Sequence, residues 1–207
     1  MDTNSNIQII EKPDWVSWDD IKQCLYEAHS VNRAKGVMMS KYLWPTERII
    51  DFIGPNGVMF VALDNTKVVG TGAICDKVGK KWYAKGRYAD FSLGSVLPQY
   101  SGQGIFKELE RVREEACARM NYPVIVGDTH SKNTRRIKIY AAAGYKHVGY
   151  HPCSDHFNVV MAKWPGGCPY SDTYIKFRRM LSYIYGHCFK VAYILGKPIL
   201  NIIRRTK

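Results

Sequence analysis

The sequence predicts an α/β protein: a mixed central sheet of about seven strands, flanked by about four helices and followed by a basic helical extension. Three observations carry that class. Apolar runs of strand length alternate with longer stretches in which apolar residues recur at helical spacing. Glycine, proline, asparagine and aspartate punctuate the joins. The charge is also divided, because residues 173–207 hold eight bases and no acid, while the preceding 172 residues hold 22 bases against 18 acids. The overall surplus of +12 therefore belongs mostly to a tail, and any anionic partner is to be sought there first.

Along the chain, Ile7-Gln8-Ile9-Ile10 reads as a first strand. Ser17-Trp18-Asp19-Asp20 resembles a capping box with an acid at its fourth position, and Ile21, Cys24, Leu25 and Ala28 follow at helical spacing. A polar connection from Asn32 to Ser40 leads to a short helix near Glu47–Phe52, closed by Gly54-Pro55. Val58–Leu63 and Val68–Ile74 form a hairpin around Asp64-Asn65-Thr66-Lys67. A further strand spans about Arg87–Leu97. Ile105–Met120 is helical, with Leu109, Val112, Ala116 and Met120 on one face and charges opposite. Pro123-Val124-Ile125-Val126 is a buried-type strand, and Ser131–Ala143 is a helix stopped by Gly144. Tyr145–His151 and Phe157–Trp164 make a last hairpin around Pro152-Cys153-Ser154-Asp155. The order is β-α-α-β-β-β-α-β-α-β-β, with no internal repeat. Residues 1–168 are expected to form the main domain and 169–207 the extension.

Composition excludes several classes. With 46% hydrophobic and 23% charged residues the chain is not disordered throughout. Its six cysteines have neither zinc-knuckle nor redox-motif spacing. The N-terminus Met1-Asp2-Thr3-Asn4-Ser5-Asn6 lacks the layout of a signal peptide. No apolar run reaches the roughly 18 residues that span a bilayer. A reducing, cytoplasmic location is expected.

The most informative segment is Val96-Leu97-Pro98-Gln99-Tyr100-Ser101-Gly102-Gln103-Gly104-Ile105-Phe106-Lys107. A strand ends, a glycine-bearing turn follows and a helix begins. Backbone N–H groups at a helix start bind phosphate oxygens, and glycines let the phosphate approach. The dinucleotide fingerprint fails because Lys107 stands at the third glycine, and there is no Gly-Lys-Ser/Thr for a nucleotide phosphate loop. What remains is a pyrophosphate cradle of another kind. In the second segment, Asn133 through Tyr145, the residues Asn133, Ile137 and Tyr140 share one helix face.

Together these segments resemble the GNAT superfamily of acyl-CoA-dependent N-acetyltransferases, over most of residues 7–164. The resemblance implies that Gly102, Gln103, Gly104, Ile105 and Phe106 bind the pyrophosphate of acetyl-CoA, the co-substrate. It also implies that Asn133 touches the pantetheine arm and that Tyr140 protonates the leaving thiolate. A main-chain N–H near Val96 or Leu97 is the implied oxyanion donor. Ser101 stands where the family usually has Arg, Phe106 where it has Gly or Ala, and Arg136 where a small residue is common. Ser101 and Arg136 remain candidates for cofactor contact.

A neutral amine must lose a proton as it attacks the thioester. By period two, Asp90, Ser92, Gly94 and Val96 would share one strand face, with Ser92 and Gly94 leaving room for the acetyl group. Asp90 is the leading base and Asp128 the reserve, either acting through water. His147, His151, Cys153 and His156 invite a metal reading, but one turn would have to converge all four, and no metal is expected. Met38, Met39, Tyr42 and Trp44 fall where the family covers its acceptor site, and core packing is the competing account.

The tail, from Tyr174-Ile175-Lys176-Phe177 onward, suits a pair of amphipathic helices. They would pack on the domain or a second subunit, making a homodimer, or lie on an anionic membrane surface at the cytoplasmic face. Nucleic acid is disfavoured, since no reading motif accompanies the charge. The expected activity is acetyl transfer to a primary amine of a small molecule or peptide. The competing expectations are a non-catalytic CoA-binding or membrane-binding module, and transfer of a longer acyl group or to a hydroxyl.

Overall fold

The computed structural model describes residues 7–34, 41–153 and 156–205. Met38, Met39, Ser154 and Asp155 lie outside them, as do the last two residues of the basic tail. The chain divides into two compact units, residues 1–125 and 126–207. The seven strands follow the expected order, with one short helix more than expected, Ser30–Ala34, between the first strand and the second.

The first unit comprises β1 (Ile7–Glu11), α1 (Trp18–Ala28), α2 (Ser30–Ala34), α3 (Thr46–Ile53), β2 (Val58–Asp64), β3 (Lys67–Lys81), β4 (Ala84–Val96) and α4 (Ile105–Arg119). Its strands pair antiparallel in chain order. The capping box is formed: Ser17 Oγ accepts the Asp20 N–H at 3.0 Å, and the Ser17 N–H donates to Asp20 Oδ2 at 3.2 Å. Ile21, Cys24 and Leu25 are buried behind it. In the β2–β3 hairpin Asn65 takes the left-handed conformation (φ 55°) that an asparagine tolerates. β3 and β4 are longer than the apolar pattern suggested, because their distal halves run past the core with charged faces.

Two features of this unit depart from expectation. β4 contains a bulge: Thr71 pairs with Ser95 and Ala73 with Ser92, so β4 carries one extra residue, and Leu93 sits there at φ 53°. Directly paired residues share a face, so Asp90 and Ser92 lie on the face of Cys75 and Ala73, whereas Val96 lies on the opposite face with Gly70. The single face expected for Asp90, Ser92, Gly94 and Val96 is therefore broken. Side chains serve the carbonyls that the bulge disturbs: Thr71 Oγ1 donates to Leu93 O at 2.7 Å and accepts from the Ser95 hydroxyl at 2.8 Å.

The second departure is α4. Leu109 and Ala116 are buried as expected, but Val112 and Met120 are half-buried, and Arg113 is fully enclosed with Glu110 beside it. Arg113 Nη2 donates to Glu110 Oε1 at 2.6 Å, and Nη1 to Ala73 O at 3.2 Å and Ser92 O at 3.4 Å, the carbonyls flanking the bulge. Gly72 makes room: a Cβ there would come within 3.0 Å of Arg113 Nε. The guanidinium also covers the Phe91 ring at 4.3 Å.

The second unit holds most of β5 (Ile125–His130), then α5 (Thr134–Ala142), β6 (Lys146–Pro152), β7 (Phe157–Lys163) and α6 (Asp172–Arg205). Its strand order is β5-β7-β6. α6 is one helix of 34 residues, where the sequence suggested a pair. Pro198 removes one main-chain hydrogen bond, and the helix continues through it. α6 covers the outer edge of β6, where the Tyr150 N–H donates to Ser182 Oγ at 3.1 Å. Gly186 lets the helix approach, since a Cβ there would lie 2.6 Å from the Phe157 ring.

His147, on β6, has its ring nitrogen Nε2 at 3.1 Å from Gly149 O. Burial, reinforced by the Arg179 charge, pushes its pKa down to about 4. The unfolded chain takes up this proton near pH 6.5 and the folded chain only near 4. Stability is thus full above neutrality, falls as pH drops between those values and loses nothing further below them. With the ring partly hydrated, the loss is about 2 kcal/mol. Urea unfolding of wild type and His147→Asn at pH 7 and pH 4.5 checks this: the variant is expected to lack this part of the slope.

Candidate active site

The cradle segment lies in the first unit. Leu97 is fully buried at the end of β4, Pro98–Tyr100 make one tight 3-10 turn, and Ser101 to Gly104 are exposed. Tyr100 fixes the turn by donating its hydroxyl to Asp64 Oδ2 at 2.7 Å. Gly102 (φ 88°) and Gly104 (φ 81°) both occupy the left-handed region, and a Cβ on either would meet nothing within 4 Å. The space above them is open, as a bound anion needs. Gly104 is the N-cap of α4 and brings no side-chain acceptor to the first-turn N–H groups, which have no partner within the helix. Ile105 anchors the helix start in the core at 5% exposure, and Phe106 is half-buried.

Alanine at Gly104 forces a left-handed residue, costing about 1–2 kcal/mol of stability, and puts a methyl into the open space above the turn. CoA affinity is expected to fall by about tenfold to a hundredfold, the range for lost hydrogen bonds to a charged group. Gly86 is the control, with φ 84° and likewise nothing within 4 Å of an added Cβ. Gly86→Ala carries the same strain and leaves CoA binding unchanged when both variants are titrated.

Of the two candidate oxyanion donors, Leu97 is eliminated. Its N–H donates to Val69 O at 2.9 Å, completing the ladder with β3. Successive N–H groups of a strand point to opposite edges, so the Val96 N–H points away from β3. Asp90 is half-exposed, opposite Cys75. On the same face Ser92 Oγ accepts from Lys41 Nζ at 2.6 Å, and that ammonium covers the Phe52 ring at 4.2 Å. The Ser92 hydroxyl is thus tied to a cation, an arrangement with no local sequence signal. Burial pushes the Cys75 thiol up to about 12, and the Asp90 charge adds to the shift. Cys24 and Cys117 are likewise raised to about 12 by burial. These three cysteines therefore remain thiols and offer no nucleophile at neutral pH.

Tyr42 and Trp44 pack edge-to-face on Tyr26 and Phe52, with ring centroids 5.3 and 5.4 Å apart, but Tyr26 is exposed and the other three rings are half-buried, so the cluster lies outside the buried core.

In the second unit, Asn133 is the N-cap of α5, its Oδ1 accepting the Arg136 N–H at 3.2 Å. One turn on, Arg136 Nη2 donates to the Tyr140 hydroxyl at 3.0 Å. Tyr140 is 1% exposed, its ring 4.9 Å from that of Tyr145. A Cβ on Gly127 would lie 2.5 Å from the Tyr140 hydroxyl oxygen. That mid-strand glycine is the sequence signal for a close approach that the reading missed. Asn133, Arg136 and Tyr140 thus form one connected group. Asp128 stands apart from it, exposed and accepting from Asn158 Nδ2 at 2.8 Å. His147 is engaged by Gly149 O, and His156 stacks on His130 at 4.2 Å. Among the described residues no three His, Cys, Asp or Glu side chains gather as a metal would require.

Comparison with known proteins gives a consistent result. The family model described as "Acetyltransferase (GNAT) family" matches residues 18–145. No curated protein matches the chain. Among solved structures, an acetyltransferase from Streptococcus agalactiae is similar at TM-score 0.60 and 18% identity, covering 76% of this chain and 98% of that one. The ribosomal-protein-S18-alanine N-acetyltransferase of Escherichia coli is similar at TM-score 0.56 and 15% identity, covering 75% and 92%. A GNAT family acetyltransferase from Elizabethkingia anophelis with acetyl-CoA bound is similar at TM-score 0.53 and 14% identity, covering 77% and 98%. At these identities the likeness is one of fold.

Proposed function

Because the chain belongs to the GNAT acetyltransferase family, we propose that it transfers an acetyl group from acetyl-CoA directly to a primary amine of a small molecule or peptide. The observation that carries this reading is the cradle: two left-handed glycines beneath open space, at a helix start whose cap supplies no oxygen of its own. A diphosphate fits that chemistry, held by main-chain N–H groups of Gly102 through Phe106 and by the helix dipole.

In this reading the Val96 N–H stabilises the oxygen that gains charge as the amine attacks the thioester carbonyl. Asp90, through a water, takes the proton that the amine nitrogen loses as the new C–N bond forms. The Tyr140 hydroxyl gives its proton to the sulfur as the C–S bond breaks, and the Arg136 N–H stays on the phenolate oxygen left behind. Asp128, already bonded to Asn158, is the weaker candidate base. The raised thiols of Cys24, Cys75 and Cys117 favour direct attack over an acyl-cysteine at those positions. Residues 1–168 act as the catalytic domain, and the protein works in the cytoplasm.

The test is a panel of primary amines with acetyl-CoA, following thiol release and product mass. Thiol release with a product heavier by one acetyl group is expected for at least one amine class. An inert panel overturns the catalytic reading; a longer acyl product or an ester corrects the donor or acceptor.

A further inference from the structure

α6 packs on β6 through Ser182 and on Phe157 of β7 through Gly186, with Ile175 buried on the same side, which leaves its other side facing solvent. At 3.6 residues per turn, Phe177, Met180, Leu181, Ile184, Cys188 and Val191 fall in one stripe about 100° wide, directed away from the packed side. Phe177 is 51% exposed, Met180 52%, Ile184 50% and Val191 55%. A helix face this apolar needs cover. Lys176 and Arg178 border it on its two edges, and no acid occurs after Asp172. Beside the Lys176 edge lies a pocket of about 220 Å³ formed by Tyr150, Lys176, Arg179, Met180 and Tyr183. It offers two cations and two phenols next to the apolar stripe.

We propose that this stripe docks on an anionic phospholipid bilayer, with α6 lying in the plane of the membrane surface. Charge complementarity selects the occupant. A second copy meeting stripe to stripe would set the same bases against each other with no acid in the segment to compensate. A bilayer with anionic head groups instead supplies apolar cover for the stripe and phosphate for Lys176, Arg178 and the pocket. No helix among the described residues is long and apolar enough to cross a membrane, so the contact is peripheral. The helix is about 51 Å long at 1.5 Å per residue.

The test is flotation of the full chain with vesicles of phosphatidylcholine alone or mixed with phosphatidylglycerol, at low and raised salt. Flotation with the mixed vesicles, weakened by salt, is expected. The double variant Phe177→Asp/Ile184→Asp is expected to stay with the soluble fraction, and Lys176→Gln/Arg178→Gln to partition about thirtyfold more weakly, at ~1 kcal/mol per base. Circular dichroism and CoA titration of each variant confirm that it is folded. The proposal is overturned by absence of flotation at low salt, by equal binding to phosphatidylcholine alone or by full binding of Phe177→Asp/Ile184→Asp. It is also overturned by a lipid-free dimer in light scattering that the same variant dissolves, which would assign the stripe to a second copy.

Discussion

Tyr140→Phe is expected to lower kcat by about a hundredfold to ten-thousandfold, the contribution of a positioned general acid, while CoA affinity stays within about twofold. The substitution removes one oxygen. The ring keeps its packing on Tyr145 and remains under Gly127, so the site is not remodelled. The Arg136 guanidinium loses an acceptor, which costs about 1–3 kcal/mol of stability. A purely structural tyrosine predicts that stability loss and nothing else. The burial of Tyr140 gives that rival its force, since a phenol 1% exposed and bonded to Arg136 could simply tie α5 together. Steady-state kinetics beside a denaturation curve separates the two accounts: a normal kcat with reduced stability removes Tyr140 from the chemistry.

The largest expected effect on folding comes from Arg113. Arg113→Met removes a fully buried cation and takes the ion-pair cation away from Glu110, which is 7% exposed. Breaking a buried ion pair by deleting one member typically costs about 3–5 kcal/mol, a large share of a small domain's stability. Two carbonyls beside the β4 bulge lose a donor at the same time. The double variant Arg113→Met/Glu110→Leu removes the buried carboxylate as well, and much of the loss should return. Chemical denaturation of the three proteins measures this coupling. If the single variant is as stable as wild type, the ion pair does not hold the bulge. Arg113 is a positioning residue in this account. The bulge it supports sends Val96 to the face opposite Ser92, so a folded Arg113 variant should also lose turnover more than CoA affinity.

Much of this was legible because local chemistry carried it. Ser17 and Asp20 announced a capping box, and Gly102 and Gly104 a strand-to-helix turn; each depends on a few neighbouring residues. The β4 bulge was not legible. Residues 90, 92, 94 and 96 remain half-exposed through it, so a period-two pattern is preserved even as the pairing phase shifts, and Leu93 gives no hint of a positive φ. A charge on a helix usually faces solvent, so nothing local signals the burial of Arg113; it depends on Gly72, forty-one positions earlier, and on carbonyls of two strands. Lys41 reaches Ser92 across a similar gap in sequence. α6 runs as one helix through Gly196 and Pro198, where a pair of helices was expected.

The account rests on the glycine turn before α4 holding the diphosphate of CoA. Isothermal titration with CoA, and with pantetheine, which keeps the thiol arm but lacks the diphosphate, addresses it most directly. Saturable one-to-one binding of CoA, with pantetheine weaker by orders of magnitude, is the predicted result. No heat with CoA, or equal affinity for the two, would contradict it.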